Sequence, residues 1–120
     1  MIRAWPDIRV FYQDLVARGQ PLEAMVRLIE QIETSPYVTA IYGETSMCNL
    51  WITQLPRSSY PDGPHLCIAP ASVGTIELRY IDTPIIERQW SRVVEEDHAF
   101  ACLAHFVDAM RWSGAIPPKR

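Results

Sequence analysis

The stretch Thr75-Ile76-Glu77-Leu78-Arg79-Tyr80-Ile81-Asp82 decides how this chain is read. Apolar and charged side chains alternate along it. Ile76, Leu78 and Tyr80 therefore share one side and Glu77 and Arg79 the other, as in a strand with one buried face. Downstream, the residues from Asp97 to about Gly114 have a helical period. Phe100, Leu103, Phe106, Val107 and Met110 fall in one sector with Ala99 and Ala104 at its borders, while His98, Cys102, His105 and Asp108 lie opposite. A half-buried strand and a one-sided helix both need cover. The simplest arrangement is an α+β domain with helices packed on one face of an antiparallel sheet.

Toward the N-terminus the periodicity is helical. Ile8, Phe11, Tyr12, Leu15 and Val16 form one stripe, with Pro6 and Asp7 suited to a first turn and Gly19 to a C-terminal cap. The alternation Ile8-Arg9-Val10-Phe11-Tyr12 leaves a strand as the other reading of this segment. Leu22, Met25, Val26, Ile29 and Ile32 form a second stripe, with Pro21 at the first helical position, Glu23 and Arg27 spaced to pair, and Ser35-Pro36 as the stop. These patterns predict helices over 7–18 and 21–34.

From Tyr37 onward, short strands alternate with turns. The expected strands are 38–42, 48–55, 65–69, 75–82 and 85–94, with a final helix over 97–112. Gly43-Glu44-Thr45 reads as a turn and the proline-rich 56–64 as the longest loop. Connections this short require antiparallel neighbours, giving a meander of four to five strands. The segment 85–94 fits either a strand or a backward extension of the last helix. Its four β-branched residues and Trp90 favour the strand. Glu95-Glu96-Asp97 supplies an acidic first turn and a cap for the helix that follows.

With 120 residues, 48% of them hydrophobic and 21% charged, the chain is expected to fold as a single globular domain over 1–120. No apolar run approaches the roughly 20 residues needed to span a bilayer. No secretory pattern opens the chain, and three cysteines without a CxxC pair suit a reducing compartment, so a cytoplasmic protein is expected, with no membrane partner. The net charge of −3 and the scattered arginines argue against a nucleic-acid partner, which calls for basic residues concentrated on one element.

None of the candidate chemical motifs outweighs its structural explanation. His98, Cys102 and His105 share a helix face, but His98 and His105 stand about 10.5 Å apart along the axis, too far for one tetrahedral site. No metal or cofactor is expected. Cys67 with His65 and Arg79 has the elements of an activated thiol, yet a cysteine in a strand is more often a small packing residue. The five glycines are isolated, so there is no phosphate-binding loop, and no GxSxG elbow marks a serine hydrolase. No catalytic residue is assigned.

The stronger signal is the sheet face turned away from the helices. If Leu50, Ile52, Leu66, Ile68, Ile76, Leu78 and Tyr80 face inward, then Trp51, Thr53, His65, Cys67, Glu77 and Arg79 face outward. An outward tryptophan beside a charged pair has the composition of an interface. The expected function is non-enzymatic binding of a protein partner, or of a second copy, through Trp51, Thr53, His65, Glu77 and Arg79, with Tyr60 from the proline-rich loop. Small acidic α+β domains of this kind resemble, in architecture alone, bacterial immunity and inhibitor proteins, which neutralise a basic partner. The alternative is a small enzyme or ligand-binding domain with a pocket at His65, Cys67 and Arg79.

Overall fold

The computed structural model describes residues 1–57 and 63–112. Two helices, α1 (Trp5–Ala17) and α2 (Glu23–Glu33), precede five strands: β1 (Tyr42–Ser46), β2 (Asn49–Thr53), β3 (His65–Pro70), β4 (Thr75–Ile81) and β5 (Trp90–Glu95). A last helix, α3 (Ala99–Ala109), follows. The strands form one antiparallel sheet in the order β1-β2-β3-β4-β5, the meander that short connections impose. The three helices cover one face. Ile8, Tyr12, Met25, Leu28, Ile29 and Ile32 from α1 and α2 meet Leu50, Ile52, Leu66, Ile68, Ile76 and Leu78 of the sheet in one buried cluster that Leu103, Phe106 and Val107 of α3 complete.

The helical stripes appear where the spacing puts them, with two additions. Trp5 and Leu28 are also buried. Gly19 caps α1 with φ of 96°, its N–H donating to the Val16 carbonyl and that of Gln20 to Leu15, the left-handed cap that glycine adopts at least strain. The strand reading of 8–12 gives way to helix because Ile8 and Tyr12, four residues apart, bury together.

Several local expectations are corrected. Residues Pro36–Thr39 form a 3-10 turn rather than strand, because the Ser35 hydroxyl accepts from the Tyr37 N–H and Pro36 suits a helical start. The first strand slides to Tyr42–Ser46, so Gly43-Glu44-Thr45 is its centre and the turn moves to Met47 and Cys48. Gly43 sits there because α1 presses on it: a Cβ would stand 2.8 Å from Ile8 Cδ1 and from Trp5 Cη2. Pro21 precedes α2, whose cap position is Leu22. Arg27 pairs not with Glu23 but with Glu96, at 3.0 Å, tying α2 to the segment before α3. In the ambiguous segment, Ile86–Arg88 is a 3-10 turn and Trp90–Glu95 the strand. Glu96–His98 forms a further 3-10 turn, so His98 rather than Asp97 precedes α3 and no side chain caps it. Met110, placed on the core face by its phase, lies past the end of α3 and is 39% exposed.

Candidate functional site

The outer face of the sheet is set by strand register. Glu44 pairs with Trp51, Trp51 with Cys67, Cys67 with Arg79 and Arg79 with Ser91, so one row crosses all five strands on the side opposite the helices. A neighbouring row carries Ala69, Glu77 and Val93. Both rows follow from the alternation of β4, whose Ile76 and Leu78 are buried while Glu77 and Arg79 are not.

The side chains of this face are held by one another. The Arg79 guanidinium donates to Glu77 at 2.7 Å and to Gln89 Oε1 at 3.3 Å, and the Gln89 amide donates to the Thr83 carbonyl at 2.9 Å. The arginine thus braces the β4–β5 connection as well as its own strand. Trp51 stacks on His65, with ring centroids 3.9 Å apart and planes 16° from parallel. His65 is 4% exposed. Its Nδ1 donates to the Gly63 carbonyl at 3.0 Å, and its buried Nε2 has no hydrogen-bond partner among the described residues. Thr53 is 4% exposed and donates to the Leu55 carbonyl at 2.9 Å. Glu44, also buried, accepts from the Met1 ammonium at 2.7 Å.

The structure therefore brings together Trp51, Thr53, His65, Glu77 and Arg79 on one face, but at different depths. Trp51, Glu77 and Arg79 are partly exposed, whereas Thr53 and His65 lie beneath the surface and support it. Tyr60 lies outside the described residues. Glu44, Ala69, Ser91 and Val93 also stand on this face and were missed, and of these Val93 is 60% exposed beside Glu77. Its position in the alternation of β5 is the signal that could have found it.

The chemistry of Cys67 runs against an activated nucleophile. Burial, and then the charge of Glu77, push its thiol above the ordinary value, with Arg79 opposing them. The neutral thiol is therefore favoured at neutral pH. Cys48, Cys67 and Cys102 are unpaired. Cys48 is in the β1–β2 turn, where its carbonyl accepts from the Tyr12 hydroxyl at 3.0 Å. Among the described residues no three histidine, cysteine or acidic side chains gather around a possible metal position, and no helix is long and apolar enough to cross a membrane. His98 and His105 are both exposed.

No family model, curated protein or solved structure matches the chain. Its family is therefore not assigned, and the faces of the fold alone carry the functional reading.

Proposed function

We propose that this chain is a small non-enzymatic protein-binding domain that takes a protein partner, or a second copy of itself, on the outer face of its sheet. The observation that carries this reading is the row Glu44, Trp51, Cys67, Arg79 and Ser91 on the face the helices leave uncovered. An aromatic ring near the centre of a polar, internally braced surface fits the anatomy of a binding hot spot, where Trp and Arg dominate. The stack on His65 and the Glu77–Arg79–Gln89 bonds fix the side chains before any partner arrives, so little rotamer entropy remains to be lost on association.

The test compares the wild-type chain with a Trp51→Ala, Arg79→Glu double variant and with Val93→Asp. Size-exclusion chromatography reads self-association, and affinity capture followed by direct titration of a captured protein reads a partner. The expected result is loss of binding or of the dimer in both variants, with circular dichroism unchanged in Val93→Asp, whose side chain leaves the core intact. Retained binding in two folded variants would place the interface elsewhere.

A further inference from the structure

We propose that the open edge of β5 pairs antiparallel with the same edge of a second copy, about a two-fold axis through Val93, so that two sheets become one. The strand order β1-β2-β3-β4-β5 leaves an edge at each end. The β1 edge is met by the start of the chain. There the Arg3 N–H donates to the Gly43 carbonyl at 2.9 Å, the Arg3 guanidinium to Thr45 at 3.3 Å and the Met1 ammonium to Glu44 at 2.7 Å. Among the described residues no strand or bridge lies along the far side of β5. Proteins commonly blunt such an edge with proline, lysine or a bulge. Trp90-Ser91-Arg92-Val93-Val94-Glu95 contains neither residue type, and its register with β4 is unbroken.

Which backbone groups face that edge follows from the phase of the ladder. The Ala71 N–H donates to the Thr75 carbonyl at 3.0 Å, so Thr75, Glu77, Arg79 and Ile81 bond toward β3 and Ile76, Leu78 and Tyr80 toward β5. The Glu96 N–H donates to the Gly74 carbonyl at 3.0 Å, one step beyond the Thr75–Glu95 pair, which gives the same phase. Trp90, Arg92 and Val94 therefore bond to β4, whereas Ser91, Val93 and Glu95 turn their N–H and C=O groups outward. The Ser91 carbonyl accepts from the Arg92 guanidinium at 3.0 Å, as a group turned away from β4 can, and its second lone pair is left for a partner strand.

A second copy fits this edge because its pattern is self-complementary. A two-fold axis through Val93 sets Val93 against Val93 and Ser91 against Glu95 twice, and each of these outward pairs exchanges two backbone hydrogen bonds. The exposed Val93 side chains then cover each other, a β-branched pair on the outer side of the sheet. On the helix side Arg92 lies opposite Val94, where its aliphatic stem covers the methyl groups. Moving the axis to Arg92 or to Val94 loses one of the outward pairs, and at Arg92 it also opposes two guanidinium groups. An axis through Glu95 opposes two carboxylates. The Val93 register uses the whole strand and sets no like charges opposite. The edge and the outer face are different surfaces, so a dimer through β5 leaves the row around Trp51 open to another partner.

Sedimentation velocity of the full chain between about 10 μM and 1 mM, the range of a small interface, should show monomer passing to dimer. Val93→Pro should weaken that association at least about tenfold with circular dichroism unchanged, because proline removes an outward donor and leaves the bonds to β4 in place. Val93→Thr, β-branched and with its N–H intact, should still dimerise. Trp51→Ala should dimerise as wild type does, since its side chain stands on the outer face of β2. Amide hydrogen exchange of the wild-type chain gives a reading that needs no variant. The Ser91, Val93 and Glu95 amides should slow as the dimer forms, while those of Arg92 and Val94 are protected at every concentration. A dimer lost in Trp51→Ala and kept in folded Val93→Pro would move self-association to the outer face and overturn the edge. A dimer in which Ser91, Val93 and Glu95 exchange as fast as in the monomer would overturn it equally. A monomer at 1 mM would do the same, leaving the edge to a strand of another protein.

Discussion

Two residues show how much this fold depends on backbone fit. At Gly43 α1 lies close against the sheet, and a methyl added there would stand 2.8 Å from both Ile8 and Trp5, so those side chains would have to shift for even an alanine. Gly43→Ala should destabilise the protein by about 1–3 kcal/mol, as overpacking does, read as a lower urea midpoint with the same slope. Arg111 presents the opposite case, since its left-handed conformation is the one glycine adopts without strain. Arg111→Gly should raise stability by about 1 kcal/mol and the melting temperature with it. A lower melting temperature would mean that the arginine side chain stabilises the cap by more than its backbone strain costs. Gly43 was legible only as a turn residue, because Gly-Glu-Thr-Ser has turn composition and its role as a gap for a helix depends on a contact far along the chain.

At the scale of elements, apolar periodicity carried most of the information. The strongest alternation, in β4, and the 3.6-residue stripes of α1 and α2 placed their core faces, because each buries one continuous face. In α3, by contrast, Cys102, assigned to the outer side, packs against the core and Met110, assigned to the core, is exposed. What failed was composition without periodicity: 36–39 has β-branched residues yet coils into a 3-10 turn, since Ser35 and Pro36 nucleate it locally. The helix ends failed too, because Trp112 is drawn back onto Phe106 instead of continuing α3. The core assignment of α3 is checked by two truncations. Leu103→Ala, at 1% exposure, should cost about 2–5 kcal/mol, whereas His105→Ala on the exposed side should fall within about 0.5 kcal/mol of wild type. Small and equal effects would show that α3 buries another face. Of the candidate interface, the outward positions were legible from alternation. Their depth was not, because the burial of Thr53 and His65 depends on which chain segments cross the sheet end.

For the whole molecule, α1 and the β1–β2 turn are joined at Tyr12, a fully buried residue whose hydroxyl donates to the Cys48 carbonyl in that turn. Burial, with the Cys48 and Cys67 charges adding to it, raises the phenol well above its ordinary value of 10. Burial likewise raises the Cys67 thiol above 9.0. Both groups therefore hold their protons more tightly in the folded chain than in the unfolded one. Their contribution is complete below the unfolded values and is lost as pH climbs through the folded ones, because the unfolded state ionises first. Stability should begin to fall near pH 9 and fall more steeply above pH 10, Tyr12 alone contributing up to roughly 1.4 kcal/mol per pH unit. Tyr12→Phe separates this from general alkaline weakening. At about pH 8 the variant should be less stable by roughly 0.5–1.5 kcal/mol, since it loses the bond to Cys48. Between about pH 8 and pH 11 its urea midpoint should decline less than that of wild type, because no buried phenol remains to ionise on unfolding. Parallel declines in the two proteins would show that Tyr12 titrates alike in both states, and that the bond from α1 to the hairpin turn opens before the fold does.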